Sequence, residues 1–445
     1  MKSKLSTLAL ALFASASFCA NAADLMDIYK EALQRDTVIS QAKAEAQAAH
    51  ANLSQATAAL LPQIDVIGSI TKTRTSTYNE FGDRASNKKS AATANLSQSL
   101  WRHSNWANRS IAEKTATVKD LAYADAMQNL IVRVCNAYFN VLNAADKVKF
   151  QKANNLALKR QLDEADRRLQ VGLIAETDKL EAQAAYDLSN AAVIVAENDL
   201  INSYEEIRLL IGRPLSEKDL AELDTSKFST PVVTDTIVQL IKKAEENNLS
   251  IQQNIISRDI AKDQITLARS GHEPTLDLNA NVSTGYTSYT KENPAANLEN
   301  GNDWSKSIGL TLTIPIFHGG ATSAEVDKAQ AQYLMASESL EMAHRKLIAN
   351  VNNSYNNVNA SISSVKAYSN SAISAQSALN ATIAGYDVGT RTMTDVLNAT
   401  QNLYDAMQKA SAARYQYIVS RLSLLYSQGD LKVEHVEQIN LALKK

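Results

Sequence analysis

The 445 residues carry a net charge of −2 and include only 13 glycines and 6 prolines, together about 4% of the chain and roughly a third of average usage. So few breakers exclude a turn-rich enzyme fold and leave long uninterrupted elements. The near-neutral charge gives no basic surface for nucleic acid, and no run of about 18 apolar residues supplies a membrane-spanning helix.

In chain order, residues 1–22 read as a signal peptide. Lys2 and Lys4 precede an apolar stretch from Leu8 to Phe18, and Ala20-Asn21-Ala22 offers a small-residue cleavage site. Cleavage there leaves a net charge of −4 and one cysteine, Cys135, so an intrachain disulfide is excluded. Residues 23–61 predict N-terminal helices. From 62 to 103 the apolar period shortens to two: Ile64, Val66, Gly68 and Ile70 follow Pro62, and Ala94, Leu96, Gln98 and Leu100 form a returning strand. Neither glycine nor proline occurs from Ser104 to Gln170, a helix on the order of 100 Å long at 1.5 Å per residue. Gly172 breaks it, a second run reaches Gly212, and 104–212 is therefore a long helical hairpin. A linker with Pro214 and Pro231 occupies 213–240.

The same order then repeats. Helices are expected over 241–273, a β-hairpin over 274–318, a second long helical hairpin over 319–428 and a C-terminal segment over 429–445. Ala32 matches Ala244 and Pro62 matches Pro274 at an offset of 212, while Tyr138–Tyr355, Gly172–Gly389 and Asp178–Asp395 keep an offset of 217. One register held across glycine, proline and aspartate identifies a tandem internal duplication. Within the long runs, Val134, Tyr138, Val141, Ala145 and Val148 form a heptad seam, with Val351, Tyr355, Val358, Ile362 and Val365 as its counterpart.

The second pair of strands reads Leu276, Leu278, Ala280, Val282 and then Ile308, Leu310, Leu312, Ile314, Ile316. Tyr78, Phe81, Trp101, Tyr286, Tyr289, Trp304 and Phe317 lie near strand ends. Apolar-out, polar-in strands with flanking aromatics suit a transmembrane β-barrel. A solvated hairpin over a core is the alternative, but no separate core is available in sequence for these strands to cover. Four strands do not close a barrel, and open edges are not tolerated in lipid, so a spanning sheet requires several chains. The pattern does not give their number.

No catalytic site is found. His50, His103, His272, His318, His344 and His435 show no ligand spacing, and no GxxxxGK[ST], HExxH or GxSxG motif occurs. The chain reads as a non-enzyme without a cofactor or metal centre. Polar residues of interest sit at the hairpin turns: Gln161, Thr177 and Asp178 in the first copy, Tyr386, Arg391, Thr394, Asp395 and Asn398 in the second. Asp178, with Thr392 or Thr394, is expected to cap the returning helices, Asp178–Glu181 being spaced as a capping box.

The stretches "LLPQIDV", "CNAYFNVLNA", "RLQVGLIAETD", "GHEPTLDL", "IPIFHGG", "AYSNSAISAQSALNATIAGYDVGTRTMTDVLNATQNLY" and "ARYQYI" resemble the TolC family of outer-membrane efflux channels, from about Asp24 to Lys445. The resemblance implies a mainly α fold with β: a homotrimer in which four strands per chain build a shared twelve-stranded barrel in outer-membrane lipid. A long coiled-coil tunnel would extend into the periplasm, with a mixed equatorial region at mid-height. It implies an exit duct for multidrug efflux and type I secretion, working with a periplasmic adaptor and an inner-membrane efflux pump or ABC transporter. Tyr386 and Arg391 would bond to Thr177 and Asp178 as a closed-state latch. The turns at Val171, Gly172, Leu173 and at Val388, Gly389, Thr390 would receive the adaptor. Asp395 would form an acidic ring that cations block. The chain departs from the family at Asn398, where a second aspartate is usual, and at Ile383, which replaces an acid that pairs with the residue matching Gln161. Weaker cation block and a less restrained closed state are therefore expected. The chain stops at Lys445 without the long polar tail of some relatives, which implies that such a tail is dispensable. A periplasmic coiled-coil spacer without a pore is the competing reading, and only the amphipathic strands separate the two.

Overall fold

The structure, a computed structural model, describes residues 24–78, 84–215, 220–290 and 299–444. The expected signal peptide and Phe81 lie outside the described residues. The elements are α1 (Leu25–Arg35), α2 (Thr37–Ala58), β1 (Gln63–Tyr78), β2 (Arg84–Trp101), α3 (His103–Gln170), α4 (Glu176–Ile211), α5 (Ile237–Asn247), α6 (Leu249–Arg269), β3 (Thr275–Tyr289), β4 (Gly301–Thr313), α7 (Ala321–Asp387), α8 (Met393–Ser427) and α9 (Val433–Asn440). The long helices come in two pairs of nearly equal length, 68 and 67 residues for α3 and α7, 36 and 35 for α4 and α8.

The chain divides into two compact units. One comprises the described residues of Met1–Thr37, Met127–Leu240 and Val351–Lys445. Its core gathers Leu25 and Ile28 of α1, Val134, Tyr138 and Val141 of α3, Ile207 and Ile211 of α4, Val351 and Val358 of α7 and Leu422 of α8, all almost fully buried. The heptad seam of α3 is therefore interior at these positions, while Tyr355, Ile362 and Val365 of α7 are only half-buried. The linker joins this core through backbone pairing: Leu223 bridges Leu443, the Asp224 amide donates to the Ala442 carbonyl at 2.9 Å, and the Tyr138 hydroxyl donates to the Ala221 carbonyl at 2.8 Å. Asp36, 2% exposed, receives a two-armed ion pair from Arg133 at 2.9 and 3.0 Å. Burial pushes the Cys135 thiol up to about 12, so this cysteine is a packing residue and not a nucleophile.

The other unit comprises Val38–Ala126 and Ile241–Asn350. It holds one antiparallel four-stranded sheet in the order β1-β2-β3-β4. The register aligns Ile64 with Leu96, Leu96 with Ala280 and Ala280 with Ile308, and likewise Val66, Ala94 and Val282. One face is thus an apolar ladder interrupted by Lys306, which pairs with Val282 and lies over the Trp304 ring at 4.1 Å, whereas Asp65, Asn95, Asn281 and Ser307 lie across from one another on the opposite face. The apolar face is uncovered within the chain: Val66, Ile70, Ile308 and Leu310 are 77, 73, 78 and 64% exposed. Ile314 and Ile316, expected in the last strand, fall beyond β4, because Pro315 has no N–H to continue the ladder. Below the sheet, Asp263 of α6 accepts from Ser110 and Lys114 of α3 at 2.6 and 2.7 Å, and Arg102 pairs with Asp277 at 2.8 Å. Among the described residues no helix is long and apolar enough to cross a membrane, a statement that does not bear on strands.

Candidate functional site

The two helical hairpin tips are built by the same backbone device. Helix α3 ends as the Gly172 amide donates to Leu169 and the Leu173 amide to Arg168, at 2.9 and 2.8 Å; α7 ends as Gly389 donates to Tyr386 and Thr390 to Gly385, at 3.0 and 2.8 Å. Gly172 and Gly389 hold φ near 76° and 77°, the left-handed conformation that such a C-terminal turn requires and glycine adopts most easily. The chain then exposes apolar side chains at each tip: Val171, Leu173 and Val388 are 69, 73 and 75% exposed, and Thr390 beside them is exposed as well.

The returning helices start differently. Thr392 caps α8, its Oγ1 accepting from the Asp395 amide at 3.2 Å while Asp395 accepts from the Thr392 amide at 3.0 Å. This is a reciprocal capping box. The Thr392 amide, then its hydroxyl and the Arg391 charge, hold the Asp395 carboxyl below the usual carboxylate range. Helix α4 has no such cap. Its N-cap is Ala175, and Asp178 sits inside the first turn with its own amide donating to the Ala175 carbonyl at 3.2 Å. The expected Asp178–Glu181 capping box is therefore corrected: Asp178 lies three residues after the cap and Glu181 turns to another partner.

That partner is Thr394, whose hydroxyl donates to the Glu181 carboxylate. Further contacts join the two hairpins. Gln161 Nε2 donates to Thr400 Oγ1 at 2.8 Å, so this glutamine finds a partner on α8 where Ile383 offers none. Arg168 lies over the Tyr386 ring at 4.9 Å, pairs with Glu164 at 2.7 Å and reaches Asp387 at 3.4 Å. Leu158, Ala165, Ala182, Met393 and Leu397 form a buried cluster beneath, with Tyr386 packed against it.

Among the described residues, Tyr386 and Arg391 make no hydrogen bond or ion pair to Thr177 or Asp178. The Tyr386 hydroxyl and Gln161 Oε1 are buried without a partner among the described residues. The Arg391 stem instead lies over Gly385, where an added Cβ would stand 2.8 Å from Arg391 Cγ. Thr177 is exposed and Asp178 half-exposed; on α8 Asn398 is exposed and Asp395 intermediate. Arg168, Asp387 and Thr400 escaped the sequence reading, and Glu181 entered it only as a capping residue. Arg168 with Glu164 and Glu181 near Asp178 pass for ordinary helix-surface charges, and only the packing of one hairpin on the other reveals their role. Among the described residues no group of three His, Cys, Asp or Glu is placed to hold a metal ion.

Comparison with known proteins agrees with this architecture. The outer membrane efflux protein family matches residues 28–213 and 240–429. The outer membrane protein TolC of Vibrio cholerae is 40% identical over 95% of this chain and 94% of its own length. The alkaline protease secretion protein AprF of Pseudomonas aeruginosa is 28% identical over 93% of this chain and 86% of its own. The solved CmeC outer membrane channel of Campylobacter jejuni shares the fold with a TM-score of 0.79 at 18% identity, covering 96% of this chain and 91% of that one. The uncovered amphipathic sheet, the two long helical hairpins and a match over nearly the whole chain lead to one assignment: this chain belongs to the outer membrane efflux protein family, and is an outer-membrane channel protein of efflux and secretion with a large periplasmic part, not an enzyme.

Proposed function

We propose that three copies of the chain assemble into one exit duct, each lending its four strands to a twelve-stranded barrel and its paired hairpins to a periplasmic tunnel. The observation that carries this reading is the sheet: an apolar ladder exposed on one face, a polar face behind it, and β1 and β4 each paired on one side only. An open edge is not tolerated in lipid. Two copies would give eight strands, an interior that side chains fill; three give twelve and leave a lumen. The same apolar ladder speaks against a periplasmic spacer, which needs no lipid-facing surface. Two family-matched stretches of similar length support the tandem duplication.

The hairpin tips serve as the gate in this reading. Intrachain contacts through Arg168, Glu181 and Gln161 hold α8 against the first hairpin, and the buried, unpartnered Tyr386 hydroxyl and the Arg391 guanidinium complete a latch toward Thr177 and Asp178 in the closed assembly. Charge-assisted bonds of this kind are strong yet exchangeable for water, which suits a two-state element that a partner biases. The exposed Val171, Leu173 and Val388, with Gly172, Gly389 and Thr390, are the surface a periplasmic adaptor would grip, and an inner-membrane pump or ABC transporter would supply the energy. The relative named for alkaline protease secretion supports protein export as one use of the duct. A planar-bilayer recording of the purified protein beside Tyr386→Phe plus Arg391→Ser tests both parts. Small cation-selective openings that grow in the double variant are expected; silence in both would remove the duct, and equal conductance would remove the latch.

A further inference from the structure

A groove of about 370 Å³ runs between α3, α4 and α8. The Gln151–Gln408 and Gln161–Thr400 hydrogen bonds, at 3.4 and 2.8 Å, set α3 antiparallel to α8, a register that brings Asn154 level with Asp405. Asn154 is 7% exposed and its Oδ1 has no donor; a buried acceptor left this way in a polar groove marks a missing partner. Asp405, lining the same end, makes no hydrogen bond or ion pair among the described residues. At the other end Glu181 stands beside Thr394. Thr394 and Asp405 are eleven residues apart on α8, about 16 Å along the axis at 1.5 Å per residue. Between them the floor is Leu158, Leu188 and Leu397.

Two acceptor ends separated by an apolar floor exclude anions by sign and a single metal ion by span. We propose that this groove binds linear aliphatic polyamines, one terminal ammonium donating to Asp405 and Asn154 Oδ1, the other to Glu181, with the methylenes lying over the three leucines. The site shares Glu181 with the contacts at the tip but not the acidic position there. Asp395 does not line it, its carboxylate being engaged in the α8 cap, and the inference stands whether or not the tips gate a pore. A ligand seated here ties α8 to α3 and α4 through contacts on all three helices.

Calorimetric titration of the purified full chain in detergent with spermine decides the matter, using putrescine as the short diamine and butylamine as the monoamine. Saturable spermine binding is expected, weakened about tenfold or more in Asp405→Asn and in Asn154→Leu by loss of charge-assisted bonds, and this Asp405-dependent binding persists in an Asp395→Asn background, where any separate binding at the hairpin tips is removed. Putrescine, too short to reach both ends, and butylamine should bind far more weakly than spermine. No saturable binding, equal affinity for wild type and Asp405→Asn, or loss in Asp395→Asn with retention in Asp405→Asn would each overturn the proposal. Asp405 is partly exposed and its amide is isosteric, so that variant remains decisive even where Asn154→Leu fails to fold.

Discussion

At Gly385 the absence of a side chain does the positioning. The Arg391 stem occupies the space a Cβ would take, so Gly385→Ala must push Arg391 aside even though alanine favours the helix by about 0.5–1 kcal/mol. The variant is expected to fold normally and to conduct more than wild type in a bilayer, as Arg391→Ser would; unchanged conductance would show that the Arg391 position does not matter. Asp395 yields a pH dependence with a definite sign. Its folded pKa is lowered from the ordinary 3.8 by the Thr392 amide and hydroxyl, so its support of the α8 start is present above that value and lost as pH falls through the lower folded value. Protection of the first-turn amides of α8, taken relative to their intrinsic exchange rate at each pH, should therefore fall on acidification, and Asp395→Asn should abolish that change in protection. In the proposed three-copy assembly, clustering around an axis would act the opposite way, raising the pKa through mutual repulsion. Asn398 would add no second charge to that cluster, and Asn398→Asp is expected to strengthen block by trivalent cations in bilayer recordings.

Among elements, the two returning helices offer a matched pair. Helix α8 has a complete capping box and α4 has an alanine at its N-cap without a side-chain bond. Thr392→Ala should cost about 1 kcal/mol at the α8 start, and Ala175→Asp should gain a similar amount at the α4 start, both read by amide exchange. The contrast also marks what sequence can tell. Glycine and proline spacing located every long helix, since their absence is what permits sixty-odd residues of unbroken α-structure, and period-two alternation located the strands. The capping assignment failed at Asp178 because a motif spacing of three holds at any phase, and the α4 cap fell three residues earlier, at Ala175. The partners of Arg168, Glu181 and Gln161 were hidden for a related reason. A heptad seam fixes which face of a helix is buried, but the register between two hairpins follows from side-chain packing summed over both. The pair Asp36–Arg133 was invisible in the same way, being set by burial of one carboxylate at 2% exposure; Asp36→Ala should destabilise the chain by about 2–3 kcal/mol through loss of the charge-assisted bonds to Arg133, as measured by denaturant unfolding.

For the molecule as a whole, the sheet is stable only in surroundings that the single chain does not supply. Its two open edges are liabilities in water and in lipid alike, but its apolar ladder is a liability in water and an asset in a bilayer, and this opposition gives a test that depends on the face of the sheet alone. Ile308 and Ser307 are neighbours on β4, yet the register places Ile308 across from Ala280 on the apolar face and Ser307 across from Asn281 on the polar face. A lysine at Ile308 would face lipid and cost about 2–4 kcal/mol if it lies near the bilayer midplane, whereas a lysine facing the lumen costs little. Ile308→Lys is therefore expected to lower the yield of inserted oligomer in reconstituted vesicles, while Ser307→Lys inserts normally and shifts the channel toward anions. Equal insertion of the two variants would mean that both faces meet water, and the sheet would then have to be something other than a wall between lipid and lumen.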